Sequence, residues 1–388
     1  MSQHAAEGPG PDELCLDVLM GQTTARSGKG PLPVVFGVCW WNHRTVRALF
    51  DRSPVEPVMH KTFPPALAEA RRRGGCVIGW ASRLTADDEA ACHAAAVPLI
   101  RIEDGFLRSV GLGAGLAPAA SLVLDGRGIY YDATRASDIE WSLQHTDLDN
   151  GQSTRGGDLR RRILEAGLSK YNLGKSADED GFPSGRRRIL VPGQVSDDAA
   201  ILKTISDTID LEGSGNVNLD LLKVARANNP DAFIIYKPHP DVTSGLRAGN
   251  IARSEALEFA DRVVCAVDII DLIERCDAVE TLTSLSGFEA LLRGKEVVVH
   301  GVPFYAGWGL TKDHTRIPGR SRRRSIDELA YLALIQYSRY VHPVTLRPCE
   351  PEQVVDALSY LRNSRWHQIK LLALLQAARI GDMFNSAP

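Results

Sequence analysis

The sequence predicts an α/β protein with two successive Rossmann-like domains and C-terminal helices, and two observations support this class. Short apolar runs alternate with helical stretches of about ten residues, which is the pattern of βαβ units and a parallel sheet. The alternation occurs twice, on either side of a region rich in Gly, Ser, Asp and Lys at 174–187. We therefore place a domain boundary at about residue 186.

The composition limits the classes of protein to consider. With 388 residues, of which 44% are hydrophobic and 24% charged, the chain can bury the cores of two or three domains. A formal net charge of −3 argues against a nucleic-acid partner. Apolar runs fall short of the roughly 18 residues that span a bilayer, and the N-terminal residues lack the pattern of a secretory signal. We therefore expect a cytoplasmic protein whose seven scattered cysteines are reduced.

The predicted elements follow the chain in order. Residues 1–33 are expected to form a flexible tail before an N-terminal domain at 34–186. The predicted strands of this domain are 34–38, 76–80, 98–102, 121–125 and 128–132. Those of the second domain, at 187–325, are 189–191, 232–236, 262–267, 279–282 and 296–300. The remainder, 326–388, has predicted helices at 326–340, 351–363 and 366–380.

Polar motifs follow several of these strands, and in such sheets ligands bind outside the carboxyl ends of the strands. Lys237 and His239 lie in a Lys-Pro-His-Pro-Asp motif, in which the two prolines fix the backbone. Both side chains can donate hydrogen bonds to a phosphate. The alternative is a strand that ends at prolines beside two solvated basic residues.

A second motif, at 281–289, passes from a strand into a helix. Ser284, Ser286 and Gly287 lie where the N–H groups of a helix N-terminus attract an anion. Glu289 is expected either to form a capping box or to bind a ribose diol, and an ordinary N-cap is the alternative for the whole motif. With Lys237, the motif predicts a nucleotide-phosphate site. There is no Walker A loop or early Gly-x-Gly-x-x-Gly, which argues against P-loop and dinucleotide sites.

Acidic residues follow two further strands. Gln194 and Asp198 lie in a Gln-Val-Ser-Asp-Asp motif, whose paired carboxylates would supply a nucleophile and an orienting group or base, or merely favour a helix N-terminus. Glu103, Asp104 and Arg108 lie at a strand end of the first domain, in a glycine-containing segment that would line the opposite wall of a cleft. A structural Arg–carboxylate pair is the alternative there.

Three other segments have two interpretations each. The aromatic loop at 301–311 would either stack on a sugar or base, or form a buried hydrophobic plug. Four arginines at 320–324 predict a solvated basic surface, with contact to anionic lipid as the alternative. The apolar helix predicted at 366–380 is assigned to packing, with membrane-surface contact as the second interpretation. No spacing typical of metal ligands occurs, so no metal is expected.

Seven stretches resemble the capsule polysaccharide β-Kdo transferases of the KpsC type, which transfer 3-deoxy-D-manno-oct-2-ulosonic acid (Kdo) from CMP-β-Kdo with retention. They are EDGFLRSVGLG at 103–113, SLVLDGRGIYYD at 121–132, KYNLG at 170–174, VPGQVSDDA at 191–199, YKPHPDV at 236–242, TSLSGFEALLRGK at 283–295 and GVPFYAGWGLT at 301–311. They occur in family order, within about residues 34–345. Members of this type usually carry two such modules, and this sequence contains one.

The resemblance implies a two-domain glycosyltransferase-B (GT-B) fold and a donor site in the C-terminal domain. Lys237 and His239 would hold the CMP phosphate. Ser284, Ser286 and Glu289 would help to bind the nucleotide. The donor substrate would be CMP-Kdo, and neither a metal nor a separate cofactor is expected.

The resemblance also implies roles in the reaction. Asp198 matches the family's catalytic aspartate and would act as the nucleophile of a double displacement, with Asp197 as the weaker candidate. Glu103 or Asp104 would deprotonate the acceptor hydroxyl, and Arg108 would bind the Kdo carboxylate.

The expected partners are a nucleotide sugar, a lipid-linked or Kdo acceptor, and other capsule assembly proteins. We expect at most weak contact with the cytoplasmic face of the inner membrane. Two alternatives stay open. One is a transferase that uses another donor, such as CMP-sialic acid or a UDP-sugar, and the other is a non-catalytic nucleotide-binding subunit of a capsule assembly complex.

Overall fold

The computed structural model describes residues 11–19, 31–51, 55–111, 117–170, 182–243, 245, 247–265 and 267–364. The described residues form two units, each built on its own six-stranded sheet. Unit 1 runs as far as Ile129 and resumes at Ala333, and unit 2 comprises Tyr130–Leu332.

The strands are short and most are buried. In chain order they are β1 (Pro33–Phe36), β2 (Val58–His60), β3 (Cys76–Trp80), β4 (Leu99–Asp104), β5 (Ser121–Asp125), β6 (Arg188–Pro192), β7 (Phe233–Lys237), β8 (Arg262–Val263), β9 (Ala278–Thr281), β10 (Glu296–Val299), β11 (Lys312–Asp313) and β12 (Ser338–Tyr340).

Helices connect most of the strands. They are α1 (Pro11–Leu19), α2 (His43–Leu49), α3 (Phe63–Arg73), α4 (Ala86–Ala94), α5 (Asp138–His145), α6 (Asn150–Glu165), α7 (Ala199–Leu202), α8 (Val217–Asn228), α9 (Pro240–Thr243), α10 (Arg253–Ala256), α11 (Ile269–Arg275), α12 (Leu285–Leu292), α13 (Ile326–Ala330) and α14 (Pro351–Asn363). Short 3-10 turns lie at Trp40–Asn42 and Ala81–Arg83, and a π-helical turn spans Tyr331–Tyr337.

The sheet of unit 1 has the strand order β12-β5-β4-β3-β1-β2. Strands β1 to β4 are parallel, whereas β5 and β12 are antiparallel to their neighbours. Val34 and Phe36 of β1 pack with Phe63 of α3 on one face. Val35, which lies between them in sequence, packs with Val46 of α2 on the other face. Because both faces are covered, these strands are continuous apolar runs instead of alternating ones.

The sheet of unit 2 is parallel throughout, in the order β11-β10-β9-β6-β7-β8. Its core includes Ile189 and Val191 of β6, Ile234 of β7 and Leu221 of α8. The two parallel-dominated sheets with their helices confirm the predicted class, two Rossmann-like units of the GT-B type with helices towards the C-terminus.

Three predicted elements differ from the structure. The strand predicted at 262–267 is limited to Arg262–Val263 in β8. Residues 128–132 are not a strand, because the side chain of Asp125 accepts the backbone N–H groups of Arg127 and Gly128 and closes a turn. The helix predicted at 326–340 is α-helical to Ala330 and continues as the π-helical turn Tyr331–Tyr337. Its last residues form β12, which pairs antiparallel with β5.

The units divide the chain differently from the predicted domain ranges. Residues from Tyr130 onward belong with the second sheet, because α6 packs against α13 within unit 2. Arg160 on α6 donates from Nε to Asp327 Oδ1 at 2.9 Å and from Nη1 to the carbonyl of Leu292 at 3.1 Å. A composition shift near residue 186 carries no information about these contacts, since they join segments more than a hundred residues apart.

The range predicted as an N-terminal tail contains the helix α1. Cys15 and Leu19 of this helix are buried in the core of unit 1. All seven cysteines are unpaired, and Cys15, Cys76, Cys92 and Cys276 are buried. The reduced state of these thiols stays a prediction.

Candidate functional site

The carboxyl edge of the unit 2 sheet brings the predicted donor motifs together. Strand β6 lies between β7 and β9, and all three strands are parallel. Gln194 and Asp198 follow β6, His239 follows β7, and Ser284 follows β9. The three segments therefore leave the sheet at the same edge, which is where open α/β sheets bind ligands.

Gln194 joins the ends of β6 and β9. Its Nε2 donates to Thr283 Oγ1 at 2.8 Å, and its Oε1 accepts the backbone N–H of Thr283 at 3.0 Å. The buried Asn218 of α8 accepts the backbone N–H of Gln194 at 2.8 Å and donates to its carbonyl at 2.8 Å. Gln194 thus shapes the edge through bonds within the protein. The sequence also makes Gln194 a candidate for binding substrate at this strand end, and that role stays a prediction.

Asp198 lies exposed at the start of the short helix α7. Its Oδ1 accepts the backbone N–H of Ala200 at 2.9 Å, so the carboxylate caps the helix as one interpretation of the sequence proposed. The neighbouring Asp197 forms an ion pair with Arg247, whose Nη2 lies 3.2 Å from Asp197 Oδ1. Both carboxylates are open to solvent at the sheet edge.

Lys237 is almost enclosed at the end of β7, with 7% of its surface exposed. Its carbonyl accepts the backbone N–H of Gly193 at 2.8 Å, which ties the ends of β7 and β6 together. Burial lowers the pKa of the Lys237 ammonium, and the negative fields of Asp268 and Cys265 offset this in part. An anion bound at this edge would stabilise the charged form of the ammonium, because it replaces the hydration that burial removes.

His239 is oriented by the turn that follows it. Its Nδ1 accepts the backbone N–H of Asp241 at 3.2 Å, which leaves Nε2 to carry the proton in the neutral ring. Burial lowers the pKa of His239, and Asp241 and Asp198 raise it in part. Lys237 and Arg247 lower it further, so His239 lies within electrostatic range of both cations and of Asp198. The ring can therefore donate from Nε2 to an oxyanion at the edge.

Helix α12 begins at Leu285 with Ser284 as its N-cap, because Ser284 Oγ accepts the backbone N–H of Ser286 at 3.2 Å. The predicted N-cap alternative is thus realised at Ser284. Gly287 is needed because Tyr305 lies over this turn, and a Cβ at Gly287 would be 2.3 Å from the Tyr305 hydroxyl. That hydroxyl donates to the Ser284 carbonyl at 2.5 Å. The first turn is therefore rigid, with its positive dipole end at the site edge.

Glu289 does not form the predicted capping box. It is 8% exposed, and its Oε1 accepts the backbone N–H of Lys170 at 2.8 Å. Burial raises the pKa of the Glu289 carboxyl, while Arg293 and the Lys170 N–H lower it in part. The capping-box alternative is wrong, and the ribose-binding role of Glu289 stays a prediction.

In unit 1, Glu103 and Asp104 end strand β4, as predicted. Arg108 is 1% exposed and donates from Nε to Asp104 Oδ2 at 2.6 Å, and from Nη1 to Ser109 Oγ at 2.8 Å and the Ala117 carbonyl at 3.0 Å. This is the structural Arg–carboxylate pair that the sequence left open. It corrects the prediction that Arg108 binds a sugar carboxylate, since the guanidinium is enclosed by partners within unit 1.

The aromatic loop at 301–311 is a buried plug. Phe304, Tyr305 and Trp308 are at most 2% exposed, so they do not offer a stacking face. Of the arginines at 320–324, Arg320 donates to the carbonyls of residues 303 and 306, and the buried Arg324 donates to those of residues 142, 143 and 146. The predicted solvated basic surface is wrong for these two.

Within the part of the chain that the structure describes, none of the helices combines the length and the apolar character that a membrane span requires. No group of three or more His, Cys, Asp and Glu side chains there has the arrangement of a metal site. The helix predicted at 366–380 lies outside the described residues, as do 112–113 and 171–174 of the motifs above.

Comparison with known proteins places this geometry in a family. A family model described as capsule polysaccharide biosynthesis protein matches residues 75–166 and 161–340. The chain belongs to the capsule polysaccharide biosynthesis family. This confirms the resemblance that the sequence motifs indicate.

Two solved structures of Thermosulfurimonas dismutans KpsC are similar to this chain. The chain is 32% identical to its β-Kdo 2,4 transferase, with a TM-score of 0.71 over 84% of this chain and 98% of that one. It is 31% identical to the β-Kdo 2,7 transferase, with a TM-score of 0.69 over 86% of this chain and 100% of that one.

A curated relative is the capsule polysaccharide modification protein LipA of Neisseria meningitidis. It is 45% identical over 269 residues, which are 69% of this chain. The same segment is 37% of LipA, so the chain matches little more than a third of the length of this relative.

Three residues of the site in this capsule polysaccharide biosynthesis protein were not predicted from its sequence. Asn218 of α8 bonds to the backbone of Gln194, and Thr283 bonds to both the oxygen and the nitrogen of the Gln194 side-chain amide. Arg247 bonds to Asp197, which lies 50 residues earlier in the chain. Thr283 stood inside a motif, so its strand-end position was a usable signal. Asn218 and Arg247 have no local pattern, because their partners are set by the sheet order.

Proposed function

We propose that the chain is a retaining β-Kdo transferase that moves Kdo from CMP-β-Kdo to a lipid-linked or Kdo acceptor in capsular polysaccharide biosynthesis and export. The observation that carries the proposal is the similarity over almost the full length of two KpsC chains described as β-Kdo transferases. The edge of the unit 2 sheet supports it, since it offers the buried Lys237 and the oriented, partly exposed ring of His239 as donors for a phosphate.

The donor nucleotide would bind at that edge. Lys237 and His239 Nε2 would donate to the phosphate, next to the dipole end of α12. Glu289 would accept a ribose hydroxyl. Burial disfavours the charged forms of Lys237 and His239, and a bound phosphate would stabilise those charged forms.

Asp198 would be the nucleophile. Its carboxylate would attack the anomeric carbon of Kdo as CMP leaves, and the acceptor hydroxyl would then displace the carboxylate. Two inversions give overall retention. The exposed position of Asp198 and its electrostatic coupling to His239 support this role.

Glu103 would be the base that deprotonates the acceptor. Asp104 was the equal candidate, but its Oδ2 accepts the buried Arg108 Nε at 2.6 Å. Glu103 lies next to it at the end of β4, where its Oε1 accepts the backbone N–H of Asp104 at 3.1 Å. Because Asp104 is engaged by the buried Arg108, Glu103 is the preferred base.

The acceptor and setting would follow from the same function. A lipid-linked glycan on the cytoplasmic side of the inner membrane would be the acceptor, and other capsule assembly proteins would be the partners. The enclosed guanidinium groups of Arg320 and Arg324 give little support to membrane contact through that segment.

The donor class is tested by incubating the purified chain with a synthetic Kdo-lipid acceptor and one donor at a time. CMP-Kdo generated in the reaction, CMP-sialic acid and a UDP-sugar are compared, with mass spectrometry of the lipid product. We expect addition of Kdo only from CMP-Kdo. Transfer from one of the other donors would replace the donor assignment, and CMP binding without any transfer would favour a non-catalytic subunit.

A further inference from the structure

Arg247 and Asp197 form an exposed ion pair beside the proposed nucleophile. Arg247 Nη2 and Nε lie 3.2 and 3.3 Å from Asp197 Oδ1. The side chains are 42% and 58% exposed, so the pair contributes little to stability and opens at little cost. Asp198 is the next residue, which puts this cation at the place where the reaction would occur.

The segment that carries Arg247 is attached firmly to the segment that carries Asp198. The Ala248 carbonyl accepts the backbone N–H of Ser196 at 3.1 Å. Asn218 Nδ2 donates at 2.9 Å to the carbonyl of Gly249, whose φ of +115° favours glycine. A Cβ at Gly249 would also come within 2.7 Å of Ser196 Oγ. Arg247 is thus held near Asp198 by its backbone, while its side chain can change partners.

The chemistry of the proposed donor demands a cation at this place. In a 2-ulosonic acid such as Kdo, the carboxylate is bonded directly to the anomeric carbon. A nucleophilic Asp198 must approach that carbon, so two carboxylates of like charge come close together. Arg108 is enclosed within unit 1 and does not supply the cation. A guanidinium matches a carboxylate with two parallel hydrogen bonds.

We propose that Arg247 leaves Asp197 when the donor binds and pairs with the carboxylate of the donor sugar, which makes it a determinant of specificity for 2-ulosonic acid donors. This inference rests on the proposed function. It separates two subsites, since the phosphate would be bound by Lys237 and His239 and the carboxylate by Arg247.

The test compares a ligand without the carboxylate to the complete donor. Calorimetry gives the Kd of CMP, and the rate of CMP release gives the KM for CMP-Kdo generated in the reaction. For Arg247→Ala we expect a KM for CMP-Kdo that is about 10- to 100-fold higher, with a Kd for CMP within about twofold of the unaltered chain. Arg247→Lys should have a KM for CMP-Kdo between those of the unaltered chain and of Arg247→Ala, because it keeps the charge without the bidentate geometry.

Two further variants complete the design. Arg161→Ala removes another exposed arginine of unit 2, paired with Asp158, and should change neither constant. Asp197→Asn removes the competitor of the donor carboxylate, so the KM for CMP-Kdo should fall, by at most about fivefold.

The outcomes distinguish this inference from the function on which it rests. An unchanged KM in Arg247→Ala, or an equal loss of CMP and CMP-Kdo binding, would overturn the carboxylate assignment while the donor site stands. A higher KM in Asp197→Asn would also count against it. If the unaltered chain binds no CMP, the proposed function fails and this inference fails with it.

Discussion

The side-chain amide of Gln194 makes two hydrogen bonds to Thr283. Its Nε2 donates to the Thr283 hydroxyl, and its Oε1 accepts the Thr283 backbone N–H. The pair locks the end of β6 to the end of β9. It therefore fixes the spacing between the segment of Asp198 and the helix that begins after Ser284.

The first prediction concerns this lock. Gln194→Ala leaves the backbone N–H of Thr283 without its acceptor, so we expect a loss of about 1–3 kcal/mol in the free energy of unfolding. Gln144 makes the same two kinds of bond to Ser321 at a solvent-exposed contact. Gln144→Ala is the matched control and should cost no more than about 0.5 kcal/mol. Urea unfolding of both variants measures the difference, and equal losses would contradict the lock.

The second prediction concerns the phosphate. His239→Ala removes a hydrogen-bond donor to the phosphate from a partly exposed ring, so the Kd for CMP should rise about 10- to 100-fold. His145, on the last turn of α5, bonds only locally to the carbonyl of Trp141, and His145→Ala should leave the Kd unchanged. Calorimetry on folded variants checks both values. An unaltered Kd in His239→Ala would remove His239 from the donor site.

The third prediction is the pH dependence of CMP binding. Burial lowers the pKa of His239, with the partial opposition of Asp241 and Asp198, so the empty site favours the neutral ring. A bound phosphate favours the protonated ring, which means that binding takes up a proton. The affinity for CMP should therefore increase as the pH falls from about 8 to about 7, above the range where the phosphate itself is protonated. The increase should be absent in His239→Ala, and an equal increase in that variant would assign it to another group.

Much of the candidate site was predictable because its residues lie next to strand ends. The apolar runs give the strands, and the rule that ligands bind at carboxyl ends selects Lys237, His239 and Ser284 without any structure. What the side chains do there depends on neighbours distant in sequence. Asn218 meets Gln194 because β6 lies next to α8 in space, and no local spacing encodes that contact.

The predictions that the structure overturns also failed because of contacts between residues distant in sequence. A run of arginines and an aromatic loop look like surfaces in a sequence, but Arg320 and Arg324 satisfy buried carbonyl groups and Trp308 is fully buried. The last part of the predicted helix at 326–340 became a strand, because the open edge of β5 offers it backbone partners. In each case tertiary hydrogen bonds outweighed the local preference.

The fourth prediction concerns the buried pair of Glu280 and His300, which are 1% and 0% exposed. His300 Nε2 lies 2.8 Å from Glu280 Oε1, and Asn228 and Asn229 donate to the same carboxylate. Glu280→Ala should lower the free energy of unfolding by about 3–5 kcal/mol, because it leaves these groups without their partner. Glu258→Ala, at an exposed position, should change it by no more than about 0.5 kcal/mol.

The same pair predicts an acid response. Burial raises the pKa of Glu280, but the hydrogen bonds from His300 and the two asparagines outweigh it, so the net pKa is lowered. The unfolded chain therefore binds this proton more readily than the folded one. The contribution of ionised Glu280 to the free energy of unfolding is complete above the ordinary pKa of a glutamate. It is lost as the pH falls through the lowered pKa of the folded state. The free energy of unfolding in urea should decrease less between pH 7 and pH 4 in Glu280→Gln than in the unaltered chain.

The proposed reaction depends on Asp198 as the nucleophile that would carry Kdo in a covalent intermediate. Mass spectrometry of the chain and of the lipid product tests this step directly, after incubation with CMP-Kdo generated in the reaction and a synthetic Kdo-lipid. We expect Kdo on a peptide that contains Asp198, β-linked product from the unaltered chain, and nearly complete loss of transfer in Asp198→Ala with CMP binding retained. Near-normal transfer by Asp198→Ala, or a product of inverted anomeric configuration, would contradict it.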